Sequence, residues 1–279
     1  MFTKKKISVS IAGSKISSLS VKDHRISCKI MKDGAEGFGT MEMAIYGLPK
    51  STMNTMTTLS WYQNYTTNNT IDVQAGDDET GLSQVYHGTI QMAWIDAQSM
   101  PKVCFRIQAM TGADDKNKQA EPTSVKGSAK ATDLLGQIAG KLGLTPLFAG
   151  IEGMVLKNVY VARSAVEQFT EIARSIGAQH FIDDKSMVVT APKSVRPDDT
   201  SPTISPTTGM VGYPGFNQNG IVVKTYFNPS IKVGGTITVQ SELTPANGKW
   251  TVNNLVHELE CEVPQGLWFT TCNCSKFGS

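Results

Sequence analysis

Three cysteines and one histidine near the C-terminus have side chains that could hold a zinc ion. Cys272 and Cys274 occupy alternate positions of one predicted strand, and His257 and Cys261 share the corresponding parity on the strand before it. Alternate positions of a strand point to one face of a sheet, and zinc accepts thiolate and imidazole ligands. Structural zinc sites usually use Cys-x-x-Cys knuckles, whereas thiols at inward strand positions usually fill a core. We therefore expect these residues to pack in a core, without a metal.

The histidines also restrict how the chain could catalyse a reaction. None lies in a recognisable catalytic motif, and the four are His24, His87, His180 and His257. The segment that begins at His257 lacks the second histidine of a zinc-protease helix. The glycine-rich residues 212–220 lack the Gly-Lys-Ser/Thr ending of a phosphate loop and continue into a strand. We predict a protein that is not an enzyme, with no catalytic, cofactor-binding or metal-binding residues and no cofactor.

A cell-wall hydrolase is the enzymatic alternative. Its two carboxylates would have to come from Glu167, Glu171, Asp183 or Asp184. Glycoside hydrolysis needs two carboxylates that flank a cleft. Glu167 and Glu171 lie one turn apart on the polar face of a predicted helix, which is typical of solvated side chains. No cleft-forming pattern accompanies them, and this disfavours the alternative.

The first part of the chain has the period of β-strands. Between residues 6 and 111, apolar side chains recur at every second position, as in strands with one buried face. The runs are Ile7, Val9 and Ile11; Ile26, Cys28 and Ile30; Met41, Met43 and Ile45; Ile90, Met92 and Trp94; and Val103, Phe105, Ile107 and Ala109. Turn residues separate them, so we predict an antiparallel meander in a first domain at residues 1–118.

The middle of the chain changes to a mixed pattern. A polar linker is predicted at residues 113–118, followed by a helix at 132–142 that Gly143 ends. A strand at residues 155–161 and a second helix from Ser164 to Gly177 come next. A hairpin of residues 180–182 and 187–190, turning at Asp183-Asp184-Lys185, completes a small α+β domain at residues 119–195.

The last region repeats features of the first. After a connector rich in proline, serine and threonine, strand periodicity resumes at Ile221 and ends in a hairpin of residues 255–263 and 268–274, within a third domain at 196–279. Four of five residues are identical between Thr70-Ile71-Asp72-Val73-Gln74 and Thr236-Ile237-Thr238-Val239-Gln240. Each segment precedes a long hairpin. Tyr46-Gly47-Leu48-Pro49 can be set beside Tyr226-Phe227-Asn228-Pro229 if residues 51–65 are extra in the first copy.

These matches keep their order along the chain, which favours a duplicated unit. The predicted fold class is mainly β with an α+β insert: two similar antiparallel β-barrels that flank a small α+β domain.

The composition excludes several functional classes. The formal net charge is +2 and basic residues are spread along the chain, so we expect no specific nucleic-acid binding. No apolar run is long enough for a membrane helix or a signal peptide, so we expect a soluble protein made in the cytoplasm and no membrane partner. Five irregularly spaced cysteines indicate free thiols instead of a disulfide framework.

The C-terminal region resembles a known family. The segments that carry the resemblance are Gly212-Tyr213-Pro214, Gly220-Ile221-Val222-Val223-Lys224-Thr225, Phe227-Asn228-Pro229-Ser230-Ile231-Lys232-Val233-Gly234-Gly235, Gly248-Lys249-Trp250-Thr251-Val252, Leu255-Val256-His257-Glu258-Leu259-Glu260 and Gly266-Leu267-Trp268-Phe269-Thr270-Thr271. Together they resemble the end of the baseplate hub proteins of contractile-tailed bacteriophages. The clear match runs from Gly212 to Thr271, and the rest of the chain agrees in architecture.

The resemblance implies a structural role. Hub proteins of this kind have two similar β-barrel tube domains and an α+β elaboration, and they assemble as homotrimers. The resemblance therefore implies a virion protein of the tail baseplate, assembled in the host cytoplasm, whose pseudo-sixfold ring joins the sixfold tail tube to the threefold central spike. Expected partners are the spike and the tail tube or adjoining ring proteins, with the tape-measure protein as a further candidate. The alternative role in the virion is that of another tail ring protein or of an adaptor protein. Residues 71–75 and 236–241 are expected to form part of the tube wall.

Overall fold

The computed structural model describes residues 3–13, 19–34, 38–57, 69–98, 100–113 and 120–278. Residues 114–118 of the predicted linker at 113–118, and residues 58–65 of the predicted extra stretch at 51–65, lie outside these ranges. The first region contains β1 (Lys5–Ala12), β2 (Leu19–Val21), β3 (Ile26–Asp33), β4 (Thr40–Tyr46), α1 (Lys50–Met56), β5 (Thr70–Asp77), β6 (Gly81–Asp96) and β7 (Cys104–Met110).

The remaining elements form a middle and a last region. The middle region contains β8 (Thr123–Lys130), α2 (Ala131–Leu142), β9 (Thr145–Ala149), β10 (Val155–Val161), α3 (Ala165–Ser175), β11 (Gln179–Asp183) and β12 (Ser186–Thr190). The last region contains β13 (Thr203–Ile204), β14 (Gly215–Asn217), β15 (Gly220–Tyr226), β16 (Thr236–Val239), the 3-10 helix η1 (Thr244–Ala246), β17 (Gly248–Cys261) and β18 (Trp268–Lys276). The mainly β fold with a small helical insert confirms the predicted class.

A single 13-stranded sheet runs through the first and last regions. Its main path has the order β14-β15-β18-β17-β3-β4-β7-β6-β5-β1-β2, and β16 joins it through β17, with β13 beside β16. The predicted antiparallel meander, in which each strand pairs with the next one in the sequence, is therefore wrong for this region. Although β5, β6 and β7 follow one another as a meander, β4 pairs with β7 and β1 pairs with β5. Long connections bring these strands together, and period-2 patterning does not reveal them.

The same four-strand arrangement occurs twice in this sheet. The first copy has the order β4-β7-β6-β5 and the second has the order β15-β18-β17-β16, with antiparallel pairing throughout. Thr70 pairs with Thr89 in the first copy, and Thr236 pairs with Thr251 in the second. The sequence matches noted above therefore fall at corresponding places in the sheet.

A β-bulge also recurs at the same place in both copies. The register shifts between Ile90 and Met92 in β6, and between Val252 and Asn254 in β17. A bulge inserts one residue and reverses the inward parity beyond it. As a result Ala93 is buried and Met92 is exposed, so the prediction that Met92 and Trp94 share the buried face of Ile90 is wrong.

The middle region packs two helices against two small sheets. β8 pairs with β10, and β12 lies between β11 and β9. Gly143 ends α2 in the left-handed conformation, at φ 68°, and Ser164 caps α3 through a reciprocal pair of hydrogen bonds with Glu167. Both helices were predicted, whereas β8, β9 and α1 were missed. Among the described residues, no helix is long and apolar enough to cross a membrane.

Three hydrophobic clusters form the interior. The first lies within β1 to β7 and includes the end of the last hairpin, through Leu259, Cys261 and Trp268. The second lies in the middle region. The third lies within the last region and includes Phe181 and Val188 from the middle region. The long strand β17 contributes to the first and the third clusters, so it ties the two halves of the sheet together.

Candidate functional site

The four candidate zinc ligands are all buried but do not form one site. Cys261 belongs to the first hydrophobic cluster, whereas Cys272 and Cys274 belong to the third. The Nδ1 of His257 and the Oγ1 of Thr270 are hydrogen-bonded to each other at 2.9 Å. Among the residues that the structure describes, no three His, Cys, Asp or Glu side chains are grouped so that they could hold a metal ion.

The electrostatics of these side chains match an apolar interior. Burial raises the pKa of Cys272 well above its ordinary value and that of Cys274 to about 12. Burial, together with the charge of Lys32, lowers the pKa of His257 to about 3. The thiols are therefore protonated and the imidazole is neutral at pH 7.

The candidate hydrolase carboxylates are all engaged in structural contacts. Glu167 Oε2 accepts the backbone N–H of Ser164 at 3.1 Å, which caps α3. Glu171 pairs with Arg163 at 3.3 Å on the exposed surface. Asp183 and Asp184 lie elsewhere, in the turn between β11 and β12, where they meet cations from other regions. The geometry brings no two of these carboxylates together across a cleft.

The turn of the β11–β12 hairpin joins the three regions of the chain through buried ion pairs. Lys32 of β3 contacts Asp183 Oδ1 at 2.8 Å and Asp184 Oδ2 at 2.6 Å. Arg196 donates from Nη1 to Asp183 Oδ2 at 2.8 Å and to the carbonyl of Val233 at 2.8 Å. Only 2% of the Arg196 side chain and 9% of the Asp183 side chain are exposed. We refer to Lys32, Asp183, Asp184 and Arg196 as the ionic joint.

Further polar contacts surround the ionic joint. Asp198 pairs with Arg196 at 2.6 Å and with Lys232 at 2.6 Å. On the opposite side, the N–H of His87 in β6 donates to Asp184 Oδ1 at 2.9 Å. Every buried charge of the joint thus has a partner of opposite sign, as the cost of burying an ion requires.

The two carboxylates of the joint respond differently to their surroundings. Burial alone would raise the pKa of Asp183, but Lys32 and Arg196 hold it well below its ordinary value. Burial raises the pKa of Asp184, and the adjacent Asp183 adds to the rise despite the contact with Lys32. The joint is therefore most favourable when Asp183 is ionised and Lys32 is charged. It links the middle region to β3 of the first region and to the connector that precedes β13.

Sequence analysis identified the turn at Asp183-Asp184-Lys185 but not its role. Nothing in the local sequence marks Lys32 as a partner of this turn, and Arg196 is only the first residue of the third predicted domain. Two adjacent aspartates in a tight hairpin turn, next to a buried strand, were the one local signal. Their partners are distant in sequence, so the pattern could not identify them.

The strand edges are the second feature of functional interest. The strands predicted for the tube wall are flanked on both sides: β5 by β1 and β6, and β16 by β13 and β17. Some of the exposed apolar side chains lie near β14 and near the β6–β7 hairpin, and others lie elsewhere, for example Val155 and Tyr160 of β10. Phe216 and Tyr213 are 58% and 63% exposed, and Met92 and Met100 are 42% and 73% exposed. Exposed apolar residues beside a strand edge favour association with another chain.

The sequence matches a family model described as "Baseplate hub gp41" over residues 6–271. The chain belongs to this baseplate hub family. The hub assignment agrees with the resemblance of residues 212–271 and extends it to nearly the whole chain. A search among curated proteins found no significant match.

Solved structures share the fold of this hub protein. A tail protein from Neisseria meningitidis MC58 is 10% identical, with a TM-score of 0.68 and coverage of 99% of this chain and 97% of that one. The 43 kDa tail protein of prophage MuSo2 from Shewanella oneidensis is 8% identical, with a TM-score of 0.62 and coverage of 96% of each chain.

An Escherichia coli component of the type VI secretion system has the same fold. It is described as similar to the T4 tail proteins gp27 and gp5, and it is 9% identical to the hub chain, with a TM-score of 0.55 and coverage of 96% of this chain and 77% of that one. At these identities the likeness establishes the fold, while the family match establishes a phage-tail baseplate protein.

Proposed function

We propose that this chain is a structural hub subunit, three copies of which form a pseudo-sixfold ring between the tail tube and the central spike. The observation that carries the proposal is the repeated four-strand arrangement, with the same register at Thr89 and Thr251 and the same bulge after each. Two equivalent units in each of three chains give six similar positions around one axis.

This arrangement solves a geometric problem. A sixfold tube and a threefold spike cannot make identical contacts with each other, but a trimer of duplicated units matches one symmetry on each side. The protein therefore acts through the geometry of its assembly, which the free energy of association between subunits stabilises. We propose the division into a first unit at residues 1–118, a middle domain at 119–195 and a second unit at 196–279.

The ionic joint suits this role. It links β3 of the first unit, the middle domain and the connector of the second unit through contacts that are 2.6–2.8 Å long. Buried, fully paired charges are sensitive to geometry, so such a cluster favours one relative placement of the units. A fixed placement is what a ring of defined diameter needs.

The proposal includes a virion location in the tail baseplate, after assembly in the host cytoplasm, and no enzymatic activity. The candidate carboxylates support the last point, since Glu167 caps a helix and Asp183 and Asp184 are held in ion pairs. The expected partners are the spike protein and the tail-tube or adjoining ring proteins.

The mass of the purified protein in solution tests the proposal. Three copies of a 30.1 kDa chain have a mass of about 90 kDa (3 × 30.1). Light scattering over a range of concentrations, with and without the spike protein, should give this mass. A strict monomer under both conditions would contradict the ring.

A further inference from the structure

We infer that the edge of β6 at residues 94–96 pairs with β14 of the next copy in the ring, as an antiparallel strand addition. The inference rests on the proposed ring and specifies its subunit contact. It follows from one pairing that the chain makes within itself and from the repetition of the four-strand arrangement.

The internal pairing joins the second unit to the first through β17. One edge of β17 pairs with β18 along most of its length. The other edge is divided, since residues 248–251 pair with β16 and residues 254–261 pair with β3 of the first unit. Within this second stretch, His257 pairs with Ile30 and Val256 pairs with Met31.

The counterpart of β17 in the first unit is β6, and among the described residues no strand occupies its corresponding edge. Residues 81–89 of β6 pair with β5, and residues 89–96 pair with β7 on the opposite edge. In the described part of the chain, no strand pairs with residues 91–96 on the edge away from β7. Counting from the equivalent bulges, Trp94 and Ile95 correspond to Val256 and His257.

The counterpart of β3 in the second unit is β14. In the first unit, Met41 pairs with Ala109, which lies opposite the residue just before the β6 bulge. In the second unit, Ile221 pairs with Cys274, which lies opposite the residue just before the β17 bulge. Met41 and Ile221 are therefore equivalent. Ile30 pairs with Met41, and Phe216 pairs with Ile221. Phe216 is therefore the equivalent of Ile30.

Ile30 and Phe216 differ in burial, as expected if β14 lacks a partner strand that β3 has. Ile30 lies in the first hydrophobic cluster beside His257 of β17 and is 0% exposed, whereas Phe216 is 58% exposed. Pairing β14 with β6 of another copy would place Ile95 beside Phe216, as His257 lies beside Ile30, and would reduce the exposure of Phe216. Burying a phenylalanine side chain favours association.

The backbone of β14 is also oriented to accept a partner. Asn217 and Gly220 flank a two-residue turn, a geometry in which the flanking residues exchange hydrogen bonds with each other. Backbone groups alternate in direction along a strand, so the N–H and carbonyl of Phe216 point away from β15, toward the free edge. They can form main-chain hydrogen bonds with an added strand.

Transferring the internal register gives a specific contact between copies. Trp94 should lie opposite Asn217, Ile95 opposite Phe216 and Asp96 opposite Gly215 of the next copy. The contact joins β6 of one copy to β14 of the next copy, so it is head-to-tail. Around the ring it alternates with the pairing of β17 and β3 within each chain. Three contacts of each kind close the ring.

Engineered cysteines test this register. Trp94→Cys combined with Asn217→Cys places two thiols at a non-hydrogen-bonded pair, where Cα atoms are about 4.5 Å apart and within disulfide range. The matched control combines Trp94→Cys with Phe216→Cys, which point to opposite faces of the sheet. The five native cysteines are buried and serve as an unreactive background.

Mild oxidation of the assembled ring, followed by non-reducing denaturing electrophoresis, gives the answer. We expect covalent trimers from the matched pair, at least tenfold more than from the control. Rings of normal mass that yield no covalent trimer in the matched pair, or equal amounts in both, would overturn the inferred contact and leave the ring proposal intact. A parent protein that stays monomeric both with and without the spike protein would overturn the ring proposal itself.

Discussion

Removing the cation of the ionic joint should destabilise the protein strongly. Lys32 contacts two carboxylates at 2.8 and 2.6 Å, and its side chain is only 12% exposed. The substitution Lys32→Met preserves most of the side-chain volume but leaves Asp184 without its cation and Asp183 with Arg196 alone. Breaking a buried pair from one side costs about 3–5 kcal/mol, because a buried charge remains uncompensated. For a chain of this size we expect a fall in melting temperature of roughly 6–20 °C.

The effect should depend on pH in a defined direction. The pKa of Asp184 is already raised by burial and by Asp183, and the loss of Lys32 should raise it further. A folded-state pKa above the unfolded value of about 3.9 means that folding favours the protonated form. The difference in stability between Lys32→Met and the parent should therefore narrow as the pH falls through the folded pKa toward 4.

Urea denaturation followed by tryptophan fluorescence, at pH 7 and at pH 5, measures both effects. Arg163→Met is the matched control, because it removes a cation from the exposed pair with Glu171 and should leave the midpoint unchanged. Adding Asp184→Asn to Lys32→Met should recover part of the loss. A parent-like stability of Lys32→Met at pH 7 would refute the argument that the joint holds the regions together.

Three further perturbations test other parts of the structure. The pKa of His257 is lowered to about 3 in the folded state, against about 6.5 for an unfolded histidine, so stability should fall as the pH drops from 6.5 toward 3. His257→Gln should flatten this dependence in urea titrations, and an unchanged slope would count against the assignment. Gly234 has φ 72°, and an added Cβ would lie 2.6 Å from Phe181 Cζ. Gly234→Ala should therefore lower the free energy of unfolding by about 1–3 kcal/mol, which a thermal melt measures. Adding Phe181→Leu should recover part of this loss of stability. Burial raises the pKa of Cys272 and of Cys274, so Ellman's reagent should modify them only as the chain unfolds, and EDTA should leave the melting temperature unchanged. Fast labelling of the native protein would contradict this.

The sequence predicts the β-rich regions well because burial on one face imposes a period of two. Ile7, Val9 and Ile11 are all buried, as expected. The prediction fails at Met92, because the preceding bulge reverses the parity and no residue type near Ile90 announces it. Helix α1 was missed for a related reason, since two buried methionines in a seven-residue helix give too short a pattern.

The repeat was detectable because it retains an identical short segment at Thr70 and Thr236. Its counterpart strands β3 and β14 share no sequence pattern, and only the pairing register relates them. The ionic joint was beyond local reasoning, because Lys32 and Asp183 are 151 positions apart in the sequence. Ion pairs of this kind depend on tertiary placement, which a periodicity argument does not supply.

The arrangement of density in averaged electron-microscope images of the purified ring shows how many similar units surround its axis. We expect a particle with threefold symmetry that displays six similar lobes around an open centre, two from each chain. Three lobes alone, or a particle with a different rotational symmetry, would contradict the claim that duplicated units in one chain provide the six positions.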